Sequence, residues 1–379
     1  MGDPDGSAAA APAAGVDVGG TFTDIVLIGL DGRPTAVKAP TTPHDQGEAV
    51  SVGLRQAMNG SDRAPALVAH GTTTATNAVL ERKVARSVLV TTDGFADVLT
   101  IARQNRPLLY DLAATRPAPL IPRDRVVTVA ERTAPDGRPL LALTEDELRR
   151  VSDEVAALEP ESVAVSLLFA YAGAAHEARL CEALRERLGV PVTRSSVLLP
   201  EFREYERAST CALNAAVAPV MRRYLSGLRG RLPRSAITVM TSGGGTVALE
   251  AAAEDPVHTL LSGPAAGVVA AAAVARSAGF ADAVAFDMGG TSTDVCLIRD
   301  GRPQMASEAE IAGLPFRTPA VAIHTVGAGG GSLAWVDRGG ALRVGPRSAG
   351  ARPGPACYGH GGIEPTVTDA HCALGHLDP

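Results

Sequence analysis

The chain has 379 residues, of which 46% are hydrophobic and 20% are charged, and its formal net charge is −6. Such a composition is typical of a globular protein and excludes a collagen-like or largely disordered chain. The acidic balance argues against a general binder of nucleic acid or of anionic membranes. The length exceeds what a single hydrophobic core usually fills, so we expect two domains.

The cysteines and the chain start bear on the cellular compartment. The five cysteines include no CxxC pair, which predicts no disulfide framework and favours a reducing cytoplasm. Residues 1–14 are acidic and alanine-rich and lack the regions of a signal peptide, so they are predicted to be a disordered leader. No apolar run reaches the roughly 18 residues of a membrane span. We therefore predict a cytoplasmic protein with neither nucleic acid nor membrane as a partner.

The first half of the chain predicts an α/β domain. Three short strands are expected near residues 15–18, 23–29 and 34–39, with turns at Gly-Gly and at "DGRP". A helix near 44–58 and a strand at "ALVAH" follow. Thr144 and Glu147 have the spacing of a capping box and predict the start of an amphipathic helix. The later alternation of strands and helices predicts a mainly parallel sheet with an antiparallel hairpin.

The second half begins with a long helical stretch over about residues 203–229, which we expect to link the two halves. Pro219 predicts a kink or a break in this helix. The segment "EFREYERAS" has acids and arginines at helical spacing, which predicts a solvent-exposed face with i,i+4 ion pairs. A strand at 283–287 then begins a second Gly-Gly hairpin.

A motif that occurs twice is the most specific feature of the sequence. The copies are Asp17-x-Gly19-Gly20-Thr21-x-Thr23-Asp24 and Asp287-x-Gly289-Gly290-Thr291-x-Thr293-Asp294. Glycines let successive backbone N–H groups converge on an anion, and threonines add hydroxyl donors. Aspartates can hold a magnesium ion. Each copy therefore predicts a phosphate-binding turn between two strands.

One copy alone is equally compatible with an ordinary β-hairpin, but two copies predict two loops that hold one polyphosphate from both sides. Other nucleotide motifs fit poorly. Neither Lys38 nor Lys83 follows a glycine, as a P-loop requires. The segment "GGGSLA" at 329–334 lacks the acidic residue about 20 positions further on that a dinucleotide-binding fold requires.

A family resemblance covers nearly the whole chain from residue 15 onward. The sequence resembles the A-type subunit of the hydantoinase/5-oxoprolinase family in the segments "GVDVGGTFTD", "HGTTTATNAVLER", "TTDGFADVLTIARQNRP", "SSVLLPEFREYERASTCALNA", "SGPAAGV", "FDMGGTSTDV", "HTVGAGGGS" and "RPGPACYGHGG-EPTVTDA". The two repeated loops look like the phosphate 1 and phosphate 2 loops of the actin-like ATPase superfamily.

The resemblance implies an α/β fold of two ribonuclease H-like domains. Residues 15–195 would form an N-terminal domain with the phosphate 1 loop, and residues 196–379 a main domain with the phosphate 2 loop. The family's adenosine-binding segment, similar to "FGGAGP", has no counterpart before Pro379. The second domain is therefore expected to be incomplete and the chain truncated.

The resemblance also implies a chemistry. ATP would phosphorylate the carbonyl oxygen of a small cyclic amide, such as hydantoin, 5-oxoproline or another lactam, and a B-type subunit would complete ring opening in a hetero-oligomer. Asp17 and Asp287 would hold Mg²⁺. Two alternatives stay open: a subunit of an ATP-dependent carboxylase of acetone-type ketones, and a catalytically incomplete fragment or assembly subunit.

Site residues follow from the loops and the resemblance together. The expected cofactor-binding positions are Gly19, Gly20, Thr21, Thr23, Asp24, Gly289, Gly290, Thr291, Thr293, Asp294, Gly327 and Gly329. The expected substrate contacts are Gly71, Thr72, Thr73 and Asn77. The expected catalytic residues are Asp17, Asp287, His70 and His324, with a structural core histidine as the alternative for the last two.

A cluster of cysteines and histidines lies near the end of the sequence, at Cys357, His360, His371, Cys372 and His376. The C-x₂-H spacing is compatible with zinc, although the two halves lack a standard finger arrangement. The favoured alternative is a buried cysteine beside loop histidines, and a thiol nucleophile at Cys357 is a third reading.

Overall fold

The computed structural model describes residues 12–19, 22–42, 46–58, 64–111, 113–350 and 352–378. Most of the predicted leader and the loop residues Gly20 and Thr21 lie outside the described residues. Residues 13 and 14, which the sequence assigned to the leader, are the first two of a strand.

Strands and helices alternate along the chain. The strands are β1 (Ala13–Val18), β2 (Phe22–Ile28), β3 (Pro34–Pro40), β4 (Leu67–Thr72), β5 (Ser87–Thr92), β6 (Val126–Val129), β7 (Arg132–Thr133), β8 (Pro139–Leu141), β9 (Ser162–Ser166), β10 (Val192–Arg194), β11 (Ala236–Met240), β12 (Thr246–Ala248), β13 (Ala283–Met288), β14 (Thr293–Arg299), β15 (Arg302–Pro303), β16 (Met305–Ala306), β17 (Ala309–Ile311), β18 (Leu314–Phe316), β19 (Ala320–Val321), β20 (His324–Val326), β21 (Ser332–Val336) and β22 (Leu342–Ser348). The helices are α1 (Gln46–Ala57), α2 (Thr74–Leu80), α3 (Val98–Ile101), α4 (Glu145–Ala157), α5 (Ala175–Leu188), α6 (Ser195–Leu198), α7 (Glu204–Arg231), α8 (Leu249–Glu254), α9 (Ser262–Ser277) and α10 (Val367–Ala373).

The chain forms two compact units. The first contains the residues up to Gly263 together with Ser307–Ala320, and the second contains Pro264–Ala306 together with Val321–Pro379. The predicted domain boundary between residues 195 and 196 falls inside the first unit. The division into an N-terminal domain and a main domain at that point stays a prediction. Within the described ranges, no helix is long and apolar enough to cross a membrane.

The first unit contains a six-stranded sheet in the order β12-β11-β4-β1-β2-β3. Strands β1, β2 and β3 form an antiparallel meander, as the two predicted turns require. Strands β4 and β11 run parallel to β1, because helical segments connect them. This sheet places the first repeated loop between β1 and β2, next to the end of β4.

A second sheet of the first unit is wholly parallel, in the order β10-β9-β5-β6. Helix α7 lies against both sheets of this unit. It contributes Leu213, Val217, Met221, Leu225 and Leu228 to the core of the six-stranded sheet. It contributes Cys211, Ala212 and Ala215 to a cluster with Leu89 and Ala164 of the parallel sheet. The predicted linking helix is therefore a central packing element of the first unit.

The N-terminal turns of α7 are buried, so the prediction of a solvent-exposed charged face there is wrong. Glu206 is 6% exposed and Arg207 is fully buried. Arg207 pairs with Glu204 at i,i+3 spacing and with Glu177 of α5. Glu206 accepts a hydrogen bond of 2.8 Å from Arg103. The charges at helical spacing thus form buried and bridging contacts.

Helix α7 continues through Pro219 without a break. A proline has no N–H for the carbonyl four residues earlier and crowds the neighbouring carbonyl. The Ser162 hydroxyl donates to the carbonyl oxygen of Ala215 at 2.7 Å, and the Ala85 amide donates to that of Ala216 at 2.9 Å. Strand β9 and the segment that leads into β5 therefore satisfy the carbonyl oxygens of Ala215 and Ala216 next to Pro219.

The second unit repeats the hairpin, with β13 and β14 antiparallel and with β15 and β20 on β14. Helix α9 packs on one face of it, against Ala283, Ala285, Cys296 and Ile298. On the other face Val284, Phe286 and Leu297 are exposed. In the first unit the positions matching Phe286 and Leu297 are the buried Val16 and Leu27. The two hairpins are thus equivalent in register and differ in which face is covered.

Candidate functional site

The two repeated loops are closed by equivalent backbone hydrogen bonds. The Gly19 amide donates to the carbonyl oxygen of Phe22 at 3.0 Å, and the Gly289 amide donates to that of Ser292 at 2.9 Å. In both hairpins the two aspartates of the motif are direct cross-strand partners, Asp17 with Asp24 and Asp287 with Asp294. Each motif therefore presents two carboxylates on one face beside a tight turn.

The two aspartates of each motif differ in their partners. Lys38 Nζ lies 2.8 Å from a carboxylate oxygen of Asp24. The Thr325 hydroxyl donates to Asp294 at 2.6 Å. Asp17 and Asp287 have no hydrogen bond or ion pair with any residue that the structure describes. The first carboxylate of each pair is therefore available to a ligand.

The surroundings of the Asp17 carboxylate disfavour its charged form. Its pKa is raised by partial burial and, to a lesser extent, by the charge of Asp24 across the hairpin. Its neighbour on β4 is Gly71, where a Cβ would lie only 3.0 Å from Asp17 Oδ1. The glycine therefore leaves room for the carboxylate, which brings a predicted substrate residue against a predicted catalytic one.

Threonines brace the first loop. Thr41 donates to the carbonyl oxygen of Gly19 at 3.0 Å, and the Thr73 hydroxyl donates to that of Val18 at 3.1 Å. Asn77 in turn donates to the Thr73 hydroxyl at 3.1 Å. The predicted substrate residues Thr73 and Asn77 thus lie at this loop and hold its carbonyl groups.

Glycines brace the second loop. The amides of Gly330 and Gly331 donate to the carbonyl oxygens of Gly289 and Gly290 at 2.9 and 2.6 Å. A Cβ on Gly329 would lie 2.6 Å from the Gly289 carbonyl oxygen, so no larger residue fits there without a shift. The predicted cofactor residue Gly329 therefore serves close backbone packing, and a Cβ on Gly327 would meet nothing within 4 Å.

The second loop offers amide donors to an anion. Within the described part of the chain, the amides of residues 290–292 donate no hydrogen bond. The carbonyl oxygens of Gly289, Gly290 and Ser292 all accept one. A loop whose carbonyls are engaged and whose amides are free is a favourable partner for a phosphate oxygen.

Two predicted hydroxyl donors are used inside the protein. Thr23 and Thr293 are buried. The hydroxyl oxygens of Thr23 and Thr41 are 3.0 Å apart. The Thr41 hydroxyl donates its proton to the carbonyl oxygen of Gly19, so the Thr23 hydroxyl is the donor between the two threonines. Thr293 donates to the Ala328 carbonyl oxygen at 2.5 Å. Neither hydroxyl has a proton left for a phosphate, and we assign both residues to loop bracing.

The two predicted catalytic histidines lie on the sheet faces opposite the aspartates. Cross-strand partners share a face, and His70 is the partner of Val16, one position from Asp17. His70 is fully buried, and its Nε2 lies 2.7 Å from the Tyr224 hydroxyl of α7. His324 is the exposed partner of Val295, one position from Asp294. Direct catalysis by either residue stays a prediction that this geometry does not favour.

Burial of His70 predicts a pH-dependent stability. Burial lowers the pKa of His70 to about 4, because it disfavours the imidazolium. An unfolded-chain histidine titrates near 6.5, so between about pH 6.5 and 4 the unfolded chain binds a proton that the folded chain does not. The free energy of unfolding should therefore fall by about 3 kcal/mol from this residue as the pH drops through that window.

The measurement is denaturant unfolding at several pH values for the wild type and for His70→Gln, which cannot titrate. The variant should show a flatter dependence below pH 6.5. His360→Gln, at an exposed position, is the matched control and should keep the wild-type slope. An unchanged slope in His70→Gln would contradict the role assigned to burial.

Carboxylate oxygens at the loops fit a hard divalent cation. Mg²⁺ is usually bound by one or two protein carboxylates together with substrate phosphates and waters. Asp17 and Asp287 each offer a carboxylate without a described partner, and a cation would relieve the repulsion between Asp17 and Asp24. In the described ranges, no group of three or more His, Cys, Asp or Glu residues could hold a metal ion.

The C-terminal cysteine and histidine residues do not provide a zinc site among the described residues. The amide of Cys357 donates to Asp369 at 2.7 Å. A side-chain hydrogen bond with the same carboxylate raises the pKa of the Cys357 thiol to about 12. Little thiolate exists near neutral pH at such a pKa, which disfavours the thiol nucleophile. Cys357 is half-buried rather than buried, so the predicted buried cysteine is not found at this position.

Two residues that contact the motif aspartates are not among those predicted from the sequence. From the sequence, Lys38 bears only on the absence of a P-loop, and no pattern indicates a role for Thr325. Lys38 could have been found, because a hairpin closed at "DGRP" that pairs Ile28 with Pro34 must pair Asp24 with Lys38. Thr325 reaches Asp294 through the pairing of β14 with β20, for which the sequence carries no turn signal.

Comparison with known proteins assigns the family. The model of the hydantoinase/oxoprolinase N-terminal region matches residues 13–188, and the hydantoinase/oxoprolinase model matches residues 207–379. The chain belongs to the hydantoinase/oxoprolinase family, and the resemblance inferred from the motifs is confirmed.

The chain is also similar to individual proteins of known activity. The chain is 37% identical to the caprolactamase alpha subunit of Pseudomonas jessenii over 96% of its own length and 54% of that protein. The crystal structure of the ATP-dependent caprolactamase from the same organism matches with a TM-score of 0.87 at 36% identity, over 97% of this chain and 55% of that one. The nucleotide-free structure of an acetone carboxylase matches with a TM-score of 0.77 at 28% identity, also over 97% and 55%.

These matches confirm the predicted actin-like α/β fold class. The chain spans about half the length of the relatives that match it.

Proposed function

We propose that this chain is the nucleotide-binding part of an ATP-dependent enzyme that activates the carbonyl group of a small cyclic amide for ring opening. One observation carries the proposal. Each unit presents a Gly-Gly hairpin loop whose first aspartate has no partner among the described residues, while its second aspartate is held by Lys38 or Thr325. That arrangement suits phosphate and metal binding better than a purely structural turn.

The residues have separate roles in the proposal. Asp17 and Asp287 hold Mg²⁺, which neutralises phosphate charge when bound. The amides of residues 290–292 and the first loop bind phosphate oxygens of ATP. Gly71, Thr72, Thr73 and Asn77, at the end of β4 beside the first loop, form the substrate side. Phosphorylation of the amide carbonyl oxygen prepares the ring for hydrolysis.

The enzyme acts as a cytoplasmic hetero-oligomer in this proposal, with a B-type subunit that completes hydrolysis. Support comes from the relative described as the alpha subunit of a caprolactamase. The similarity to acetone carboxylase favours a second candidate, an ATP-dependent ketone carboxylase subunit. A third candidate is a catalytically incomplete fragment or assembly subunit.

One experiment separates these candidates. The chain is co-expressed with a B-type subunit, and ATP hydrolysis is measured with 5-oxoproline, hydantoin or caprolactam, and with acetone plus bicarbonate. Stimulation by a cyclic amide, with release of the ring-opened product, is expected. Stimulation by ketone and bicarbonate instead would support the carboxylase. ATP binding without turnover would support the incomplete subunit, and the absence of ATP binding would overturn the proposal.

A further inference from the structure

A cavity of about 350 Å³ lies in the first unit, away from the repeated loops. Its walls are the end of α3 with the following loop, the start of α7, and the hairpin β17–β18. The polar lining includes Arg103, Arg106, Arg116, Tyr205 and Glu310, and the apolar lining includes Leu99 and Leu314. The volume lies within the roughly 300–1,000 Å³ of small-molecule sites.

The arginines of this cavity are not equally neutralised. Arg103 is bound by Glu206 at 2.8 Å and by Glu308 at 2.6 Å. Arg116 donates only to backbone carbonyl oxygens. Arg106 has no hydrogen bond or ion pair with any residue in the described ranges. Two guanidinium groups are therefore left without a carboxylate partner, and guanidinium binds a carboxylate in bidentate geometry.

The cavity also contains an anion and a hydroxyl. Glu310 forms no ion pair with the described residues, and Tyr205 forms no hydrogen bond with them. Burial is the main cause that raises the pKa of Tyr205, so its hydroxyl remains a donor near neutral pH. A ligand with only a negative charge would be repelled by Glu310, and a ligand with only a positive charge would be repelled by the arginines. A ligand with one charge of each sign would satisfy both.

The backbone around the cavity is strained. Ala102 has φ 53° and ψ −140°, and Gln104 and Ala312 have φ 56° and 51°. Non-glycine residues rarely adopt such angles, and they persist where the surrounding structure enforces them, often at binding sites. The tip of the hairpin is packed tightly, since a Cβ on Gly313 would lie 2.4 Å from Pro117. The hairpin tip therefore packs against the part of the wall that Pro117 forms.

We propose that this cavity binds a small aliphatic amino acid whose carboxylate and ammonium groups are separated by an apolar spacer. Arg106 and Arg116 receive the carboxylate, Glu310 receives the ammonium, and Leu99 and Leu314 contact the spacer. Hydrolysis of a lactam yields an amino acid of this class. The assignment of the ligand as a reaction product rests on the proposed function, whereas the binding site rests on the cavity alone.

Binding is measured by calorimetry on the 379-residue chain with 6-aminohexanoate, hexanoate and hexylamine, which differ only in their charged ends. We expect 6-aminohexanoate to bind about tenfold tighter than either singly charged probe, since each charge-assisted hydrogen bond contributes about that factor. In Glu310→Gln, 6-aminohexanoate should bind no tighter than hexanoate. Arg106→Gln should weaken both carboxylates about tenfold.

Arg149→Gln is the matched control, because Arg149 is an exposed arginine of α4 that pairs with Asp146 on the surface. Equal affinity for the three probes in the wild type would overturn the proposal, whatever the variants do, and so would no binding of 6-aminohexanoate. If the chain binds 6-aminohexanoate but its assembly opens no lactam, the binding site is supported and the proposed function is contradicted. If the assembly opens a lactam but the chain does not bind 6-aminohexanoate, the proposed function is supported and the binding site is contradicted.

Discussion

Replacing Asp287 with asparagine is expected to lower ATP turnover of the assembled enzyme by roughly 10²–10³-fold without unfolding the second unit. The Asp287 side chain is exposed on β13 and has no described partner, so the change removes a charge and no structural contact. Asparagine has the same size and cannot neutralise a cation. Asp17→Asn should have a similar effect through the first loop.

Steady-state ATP hydrolysis in the presence of Mg²⁺ and the best cyclic amide is the measurement, with circular dichroism to verify folding. Asp294→Asn provides a comparison within the motif and should lose less, since Thr325 can still donate to the amide oxygen. Asp31→Asn, in the β2–β3 turn, should lose nothing. Wild-type turnover in Asp287→Asn would remove this residue from the proposed magnesium site.

Replacing Arg207 with leucine is expected to destabilise the chain by about 3–5 kcal/mol, because it leaves a buried charge without its partner. Arg207 and Glu177 are both fully buried. Arg207 also donates to the Leu167 carbonyl oxygen at 2.7 Å and to Ser195 and Glu204. Such a loss is a large share of the roughly 5–15 kcal/mol by which a domain is stable.

Urea unfolding followed by circular dichroism measures the effect. The double variant Arg207→Leu with Glu177→Leu should recover part of the stability, since the fully buried carboxylate is removed together with its partner and only the partly exposed Glu204 loses an ion pair. Arg149→Leu, an exposed arginine of a surface pair, should change stability by no more than about 0.5 kcal/mol. If Arg207→Leu were as stable as this control, the buried pair would not support the first unit.

The sequence was most informative where the chemistry is local. The hairpin around Asp17 and Asp24 and its repeat around Asp287 and Asp294 could be predicted, because turn residues and strand alternation determine register over a few residues. The adjacency of Gly71 to Asp17 followed less directly, from the expectation that ligand residues lie at the ends of parallel strands.

The sequence was least informative where burial depends on segments far apart in the chain. The sequence predicts a solvent-exposed start of α7, because charges at helical spacing usually lie on a surface. It is covered by the parallel sheet and by residues 307–320, which belong to the first unit although residues 264–306 precede them. His70 likewise looked available at the end of a strand, and only the pairing of β4 with β1 shows that it lies on the other face.

The two loops are braced by chemically different means, and this difference sets how each can change in evolution. Thr41 and Thr73 hold the first loop through side-chain hydroxyls, so we expect serine, which keeps the hydroxyl, to replace either. The second loop is held by main-chain amides of Gly330 and Gly331, and a Cβ on these glycines would lie 2.7 Å from Thr368 Oγ1 and 2.9 Å from the Gly290 carbonyl oxygen, so larger residues fit only with a shift. A saturation library should therefore accept serine at Thr41 and Thr73 and little besides glycine at residues 329–331, although both loops carry the same eight-residue motif.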